Sequence, residues 1–194
     1  MKPYFALLAL AFFSFAANDP IDHIGVKGPL TFDKTDFSLS WSAVPRENYY
    51  VQEYLPQGES EDHFNQMLTV NLFVMDVPVD VAVKQRMAEF EERKKTDKVC
   101  NYSITKRPGG TEFLLDVILS AGSGAKPDVA EFIIYRFVQV ELADTRKALL
   151  VYSYSKRSYG DKIDGFLVGL PKERVTLLNK MTAAEMPKVA LTGN

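Results

Sequence analysis

The alternation of apolar and polar positions marks out strands before it marks out helices. Phe37, Leu39 and Trp41 alternate with serines across Phe37–Val44, the period-two pattern of a half-buried strand, and Pro45 stops it. Tyr49–Pro56 gives a second strand, and a short edge strand is expected near Leu30–Phe32. Ser60 offers an N-cap with Glu61 and Asp62 behind it, which predicts a short helix over residues 61–68. Thr69–Met75 is β-prone. Asp76 and Pro78 then read as the cap and first turn of a longer helix. Its apolar positions Val79, Ala82, Val83, Met87 and Phe90 keep helical spacing and carry it over residues 79–96.

The second half is richer in strands. Two β-prone runs around Pro108-Gly109-Gly110 predict a hairpin. Ala130–Leu142 and Lys147–Arg157 are the two longest strands, joined by a short turn. Asp161 opens a last helix with Ile163, Phe166, Leu167, Leu170, Leu177, Leu178 and Met181 as its apolar positions. Pro171 is expected to break or kink that helix after Gly169. The order β-β-α-β-α-β-β-β-β-α predicts an α+β fold: a mostly antiparallel sheet flanked by helices.

The first residues read as an address instead of a fold element. Lys2 precedes an apolar run from Tyr4 to Phe15, and small residues follow at Ser14, Ala16 and Ala17. The run falls short of the about 20 residues that span a bilayer, so a cleaved signal peptide over residues 1–16 is expected. Residues 17–35 read as a flexible lead-in, 36–187 as a single α+β domain and 188–194 as a frayed tail. The mature product is then exported, periplasmic in a Gram-negative cell, with no integral membrane segment.

Composition narrows the functions. The chain has 194 residues, 46% of them hydrophobic and 25% charged, with a formal charge of −2. That supports a globular core and gives no global basic field for nucleic acid. One Cys and two His exclude a disulfide framework and a Cys/His zinc site within one chain. No cofactor motif and no metal set is visible. Cys100, in an alternating segment without a nearby His, reads as a small buried hydrophobe; the other reading is a reactive thiol that assembles an envelope structure.

Chemistry-bearing residues are few. His63 stands beside Glu59, Glu61 and Asp62, yet no nucleophile motif accompanies it. A helix-start role explains the carboxylates, and a small hydrolase using His63 with a carboxylate is the enzymatic alternative. His23 lies in the lead-in. Arg136 falls within the apolar stripe Ala130, Phe132, Ile134, Val138, so it needs a partner. Glu53, Asp116 and Glu112 are the carboxylates that share stripes with core residues, and a structural ion pair with one of them is expected. The last strand places Tyr152, Tyr154 and Lys156 on one face, Arg157 on the other and Tyr159 just beyond. Tyr135 on the neighbouring strand would extend the aromatic row. Aromatics beside cations suit a sugar, an anionic ligand or a protein partner.

Three stretches resemble a family of secreted proteins of unassigned activity common in Bacteroidetes: YYVQEYLPQGES with FNQMLTV, ERKKTDKVCNY, and YSYSKRSYGD followed by F-L-x-x-L-x-x-x-R ending at Arg174. The resemblance spans most of residues 28–189. With the element order it is similar to the PsbP-like α/β/α sandwich group, whose members are mainly accessory and binding proteins. It implies no catalytic residues to transfer. The expectation is therefore an exported, non-enzymatic binding or accessory protein, with an envelope protein or an anionic or sugar ligand as partner, and Tyr135, Tyr152, Tyr154, Lys156, Arg157 and Tyr159 as the contact residues.

Overall fold

A computed structural model describes residues 19–107, 111–122, 124 and 126–191. The expected leader, the Pro108-Gly109-Gly110 turn and the last three residues of the tail lie outside them. The described chain forms β1 (Leu30–Phe32), β2 (Thr35–Arg46), β3 (Tyr49–Pro56), β4 (Gln66–Phe73), α1 (Val79–Arg93), β5 (Asn101–Lys106), β6 (Glu112–Ala121), β7 (Val129–Glu141), β8 (Lys147–Tyr159) and α2 (Ile163–Ala183). The eight strands make one antiparallel sheet in the order β1-β2-β3-β4-β8-β7-β6-β5. Strands 1–4 and 5–8 are two meanders, and the β4–β8 seam joins them, with Gln66–Phe73 opposite Leu149–Lys156.

Each face of the sheet has its own core. On one face, Leu68, Val70 and Leu72 of β4, Phe132 and Ile134 of β7 and Leu150, Tyr152 and Tyr154 of β8 pack under Leu170, Leu177 and Met181 of α2. On the other, Phe73, Leu115, Tyr135, Phe137 and Val151 pack under Val79, Val83 and Phe90 of α1. The fold is thus α+β with a mostly antiparallel sheet, as the order of apolar patterns implies.

Several local expectations are corrected. Residues 61–68 form no helix: Ser60 and His63 make an isolated bridge, and the chain enters β4 at Gln66. Pairing with β3 on one side and β8 on the other outweighs a local capping signal. Pro171 does not break α2, which runs from Ile163 to Ala183 with the proline inside. Pro171 faces solvent, where water can serve the carbonyl that the missing N–H leaves free. At α1 the cap position is Pro78 without a side-chain bond. Asp76 instead accepts hydrogen bonds from Gln139 and Lys147.

The described residues of the lead-in and of the tail are docked. Ile24 and Val26 belong to the α2-side core. The Tyr54 hydroxyl donates to Val26 O at 2.6 Å, Gln52 Nε2 donates to the same oxygen at 3.2 Å, and His23 N donates to Gln52 Oε1 at 2.7 Å. Ala190 N donates to Ile24 O at 2.8 Å. Gly25 permits that crossing: its φ is +70°, and a Cβ there would stand 3.0 Å from Ala190 O. Both segments looked loose because their few apolar residues show no period. The contacts that hold them are made across the fold.

Candidate functional site

The strand parity of β8 sorts the expected contact residues onto two faces. Tyr152, Tyr154 and Lys156 share the α2 face, whereas Arg157 and Tyr159 belong to the α1 face. Tyr135 sits opposite Ser153, so it also faces α1 and does not extend the aromatic row. Tyr152 and Tyr154 are each only 2% exposed, covered by α2 and the β1 region. Burial raises the Tyr152 phenol to about 12, with Arg136 opposing, and pushes Tyr154 further in the same direction. Both stay neutral. The row is a core layer with one open end.

That open end is a cleft. Asn65 and Gln66 at the start of β4, Tyr154 and Lys156 on β8, Lys172, Glu173, Thr176 and Lys180 on α2 and Asp33 in the β1–β2 turn enclose about 400 Å³. The volume lies within the range of small-ligand sites. The Tyr154 hydroxyl donates to Gln66 Oε1 at 2.9 Å, which fixes the amide so that its nitrogen is left for other partners. Phe32 packs on the Tyr154 ring at 4.5 Å and holds it in place. Two of the lysines carry partners: Lys156 pairs with Glu173 and Lys180 with Asp33. Three cations face two carboxylates around the mouth. Exposed pairs of this kind hold with about 1 kcal/mol or less, so a ligand anion can take over the lysine at little cost.

Lys172, Thr176 and Lys180 were not singled out in the sequence. Their i, i+4, i+8 spacing places them on one face of α2, and that spacing was readable. Asp33 and Gln66 gave no local signal, because the β1–β2 turn and the β4–β8 register bring them to the cleft.

The Arg157 and Tyr159 end differs. Arg157 lies over the Phe64 ring at 3.9 Å and donates from Nε to Glu131 at 3.0 Å. The Tyr159 hydroxyl donates to Phe64 O at 2.8 Å. His63 is exposed and stacks on the Tyr159 ring at 4.1 Å. Its imidazole makes no hydrogen bond to a hydroxyl or carboxylate among the described residues. Glu59 staples the segment instead, accepting from Asn65 N at 2.7 Å and Gln66 N at 3.0 Å.

Arg136 has a different partner from two of the carboxylates expected for it. Glu53 faces the other side of the sheet, and Asp116 takes both Nε and Nη2 of Arg174 at 2.7 and 2.8 Å. Glu112 is the partner, with Arg136 Nε at 2.7 Å from Oε1 and Nη2 at 3.2 Å from Oε2. Arg136 Nη1 donates to Met181 O at 3.0 Å and Ala184 O at 2.7 Å, so the same guanidinium caps the C-terminus of α2. Cys100 is buried with Sγ 3.8 Å from Phe90 O, and burial raises its thiol pKa. Arg93, Lys94 and Lys95, the basic end of α1, pair with Asp97, Glu91 and Glu92.

Among the described residues no group of His, Cys, Asp and Glu is arranged to hold a metal ion. No helix among them is long and apolar enough to cross a membrane. A protein-family model matches residues 24–186. No curated protein and no solved structure matches the chain.

Proposed function

The chain belongs to the family whose model covers those residues, and we propose that it is an exported, non-enzymatic accessory protein of the cell envelope that binds an anionic ligand in the cleft beside α2. The observation that carries this reading is the cleft itself, in which Lys156, Lys172 and Lys180 surround a neutral floor of Tyr154 and Gln66. An acidic sugar fits both parts: its carboxylate meets the lysines, and its hydroxyls meet the Gln66 and Asn65 amides. Export rests on the leader pattern of residues 1–16 and on the resemblance to secreted Bacteroidetes proteins. The PsbP-like sandwich is the architecture proposed for the family, supported by one helix on each face of the sheet. The isolated imidazole of His63 and the buried thiol of Cys100 favour binding over hydrolysis or disulfide assembly.

Calorimetric titration with galacturonate and with galactose tests the proposal. The acid should bind at least about tenfold more tightly than the neutral sugar. Replacing Lys156 and Lys172 together by Ala should abolish that preference and leave the melting temperature nearly unchanged, since both lysines are at the surface. Equal affinity for the two sugars, or turnover of an added ester by the purified protein, would overturn the reading.

A further inference from the structure

The cleft beside α2 is longer than one sugar ring. Lys172, Thr176 and Lys180 follow one another at about one-turn steps, so their row covers about 12 Å of the helix. Charge is divided between the two ends of that row. At one end Lys156 of β8 pairs with Glu173, and Lys172 stands one residue before that carboxylate. About 10 Å further along α2, Lys180 pairs with Asp33 of the β1–β2 turn. Thr176 and Leu177 separate the pairs on the helix, and Tyr154, Asn65 and Gln66 complete an uncharged lining.

Both ends are open to a ligand. The side chains of the two pairs are between 32% and 53% exposed. Such pairs are weak, and either lysine can turn from its carboxylate to one on a ligand. The uncharged groups both give and take hydrogen bonds. Gln66 Oε1 is held by the Tyr154 hydroxyl, which leaves Nε2 as a donor. Asn65 Nδ2 donates to Glu59 at 3.2 Å, which leaves Oδ1 as an acceptor.

This layout sets the size of the ligand. A single uronate has one carboxylate, so it meets one end and leaves the other to its internal pair. It also fills less than half of the about 400 Å³ enclosed. Linked uronates place a carboxylate on every ring and hydroxyls between, and three rings span the row of cations. An acidic peptide carries carboxylates too, but it adds backbone N–H and C=O groups that these few side chains do not pair.

Resting on the anion-binding reading of the cleft, we propose that its ligand is a segment of a polyuronate chain, at least three residues long, laid along α2. One carboxylate meets Lys156 and Lys172, and another meets Lys180. Glu173 and Asp33 hold the lysines in the free protein and compete with the chain for them.

Calorimetric titration with galacturonate and its dimer and trimer tests this. The trimer should bind at least about tenfold more tightly than the monomer, beyond the about threefold that three equivalent units give by statistics alone. Lys180→Ala should lower that ratio to about threefold, with the fold retained by circular dichroism. Glu173→Gln and Asp33→Asn should each strengthen trimer binding several-fold; Asn tolerates the φ of +49° at position 33. Glu92→Gln, which frees Lys95 on α1, should change nothing. A trimer-to-monomer ratio of about threefold or less in the wild type would overturn the inference and leave the single-anion reading standing, whereas equal binding of galacturonate and galactose would remove both. A ratio that folded Lys180→Ala keeps, unchanged trimer binding by Glu173→Gln and Asp33→Asn, or binding of hexaglutamate as tight as that of the trimer would each overturn it as well.

Discussion

Arg136 shows how much one buried side chain can hold. Its guanidinium joins Glu112 on β6 to the last carbonyls of α2, while Arg107 approaches the same carboxylate from Nη1 at 3.0 Å. Removing it leaves Glu112 with Arg107 alone and frees the two carbonyls at the end of α2. Arg136→Met should therefore cost about 1–3 kcal/mol in urea denaturation. Burial opposes the charge of Glu112, but hydrogen bonds from Arg136 and Arg107 outweigh it and hold its pKa below the usual carboxylate value. A depressed folded pKa gives stability that is present above the unfolded value of about 4.3 and is lost as pH falls through the folded one. The wild-type protein should lose stability from this pair below about pH 4, and Arg136→Met should lack that part of the acid limb. The need for a partner was legible in the apolar stripe around Arg136. Its identity was not, because β3 is buried on both faces at Tyr49, Val51, Gln52, Tyr54 and Leu55. Such a strand gives no parity from which to place Glu53.

Among the elements, the strands were legible where alternation ran long. Expected bounds for β7 and β8 match within two residues, since Ile and Val runs between short turns leave few alternatives. The aromatic row was misplaced for a different reason. The β7–β8 register puts Tyr135 opposite Ser153, and a shift by one residue moves a side chain to the other face of the sheet. Register is set by the turn and by the whole core, so no single strand contains it. The helices show the same division. Apolar spacing located α1 and α2, whereas the ends and the proline depended on surroundings. Pro171 still lacks an N–H in the interior of α2. Pro171→Ala should raise stability by about 1–3 kcal/mol by restoring one backbone bond, read as a higher urea midpoint with unchanged slope.

The whole molecule depends on contacts between its ends as well as within its sheet. Met186, Val189 and Leu191 pack against the α2-side core, and Ala190 ties the tail to Ile24. Truncation after Ala184 should cost about 2–3 kcal/mol, on the order of 1 kcal/mol for each of three partly buried side chains. A loss within error would show that the tail rests on the core without stabilising it. Fold class was visible from the order of elements, and two residues of the cleft, Tyr154 and Lys156, were among those the sequence singled out. That Lys172, Thr176 and Lys180 of α2 and Asp33 of the β1–β2 turn would join them was hidden, because the two segments reach the cleft from opposite ends of the chain.

The β4–β8 seam has a mechanical corollary. The two meanders are joined by one covalent tether, residues 74–100, which contains α1, yet they also meet along eight backbone pairs. A proteolytic nick in that tether would sever the polymer without dividing the particle, and the halves would come apart only when the seam itself is melted.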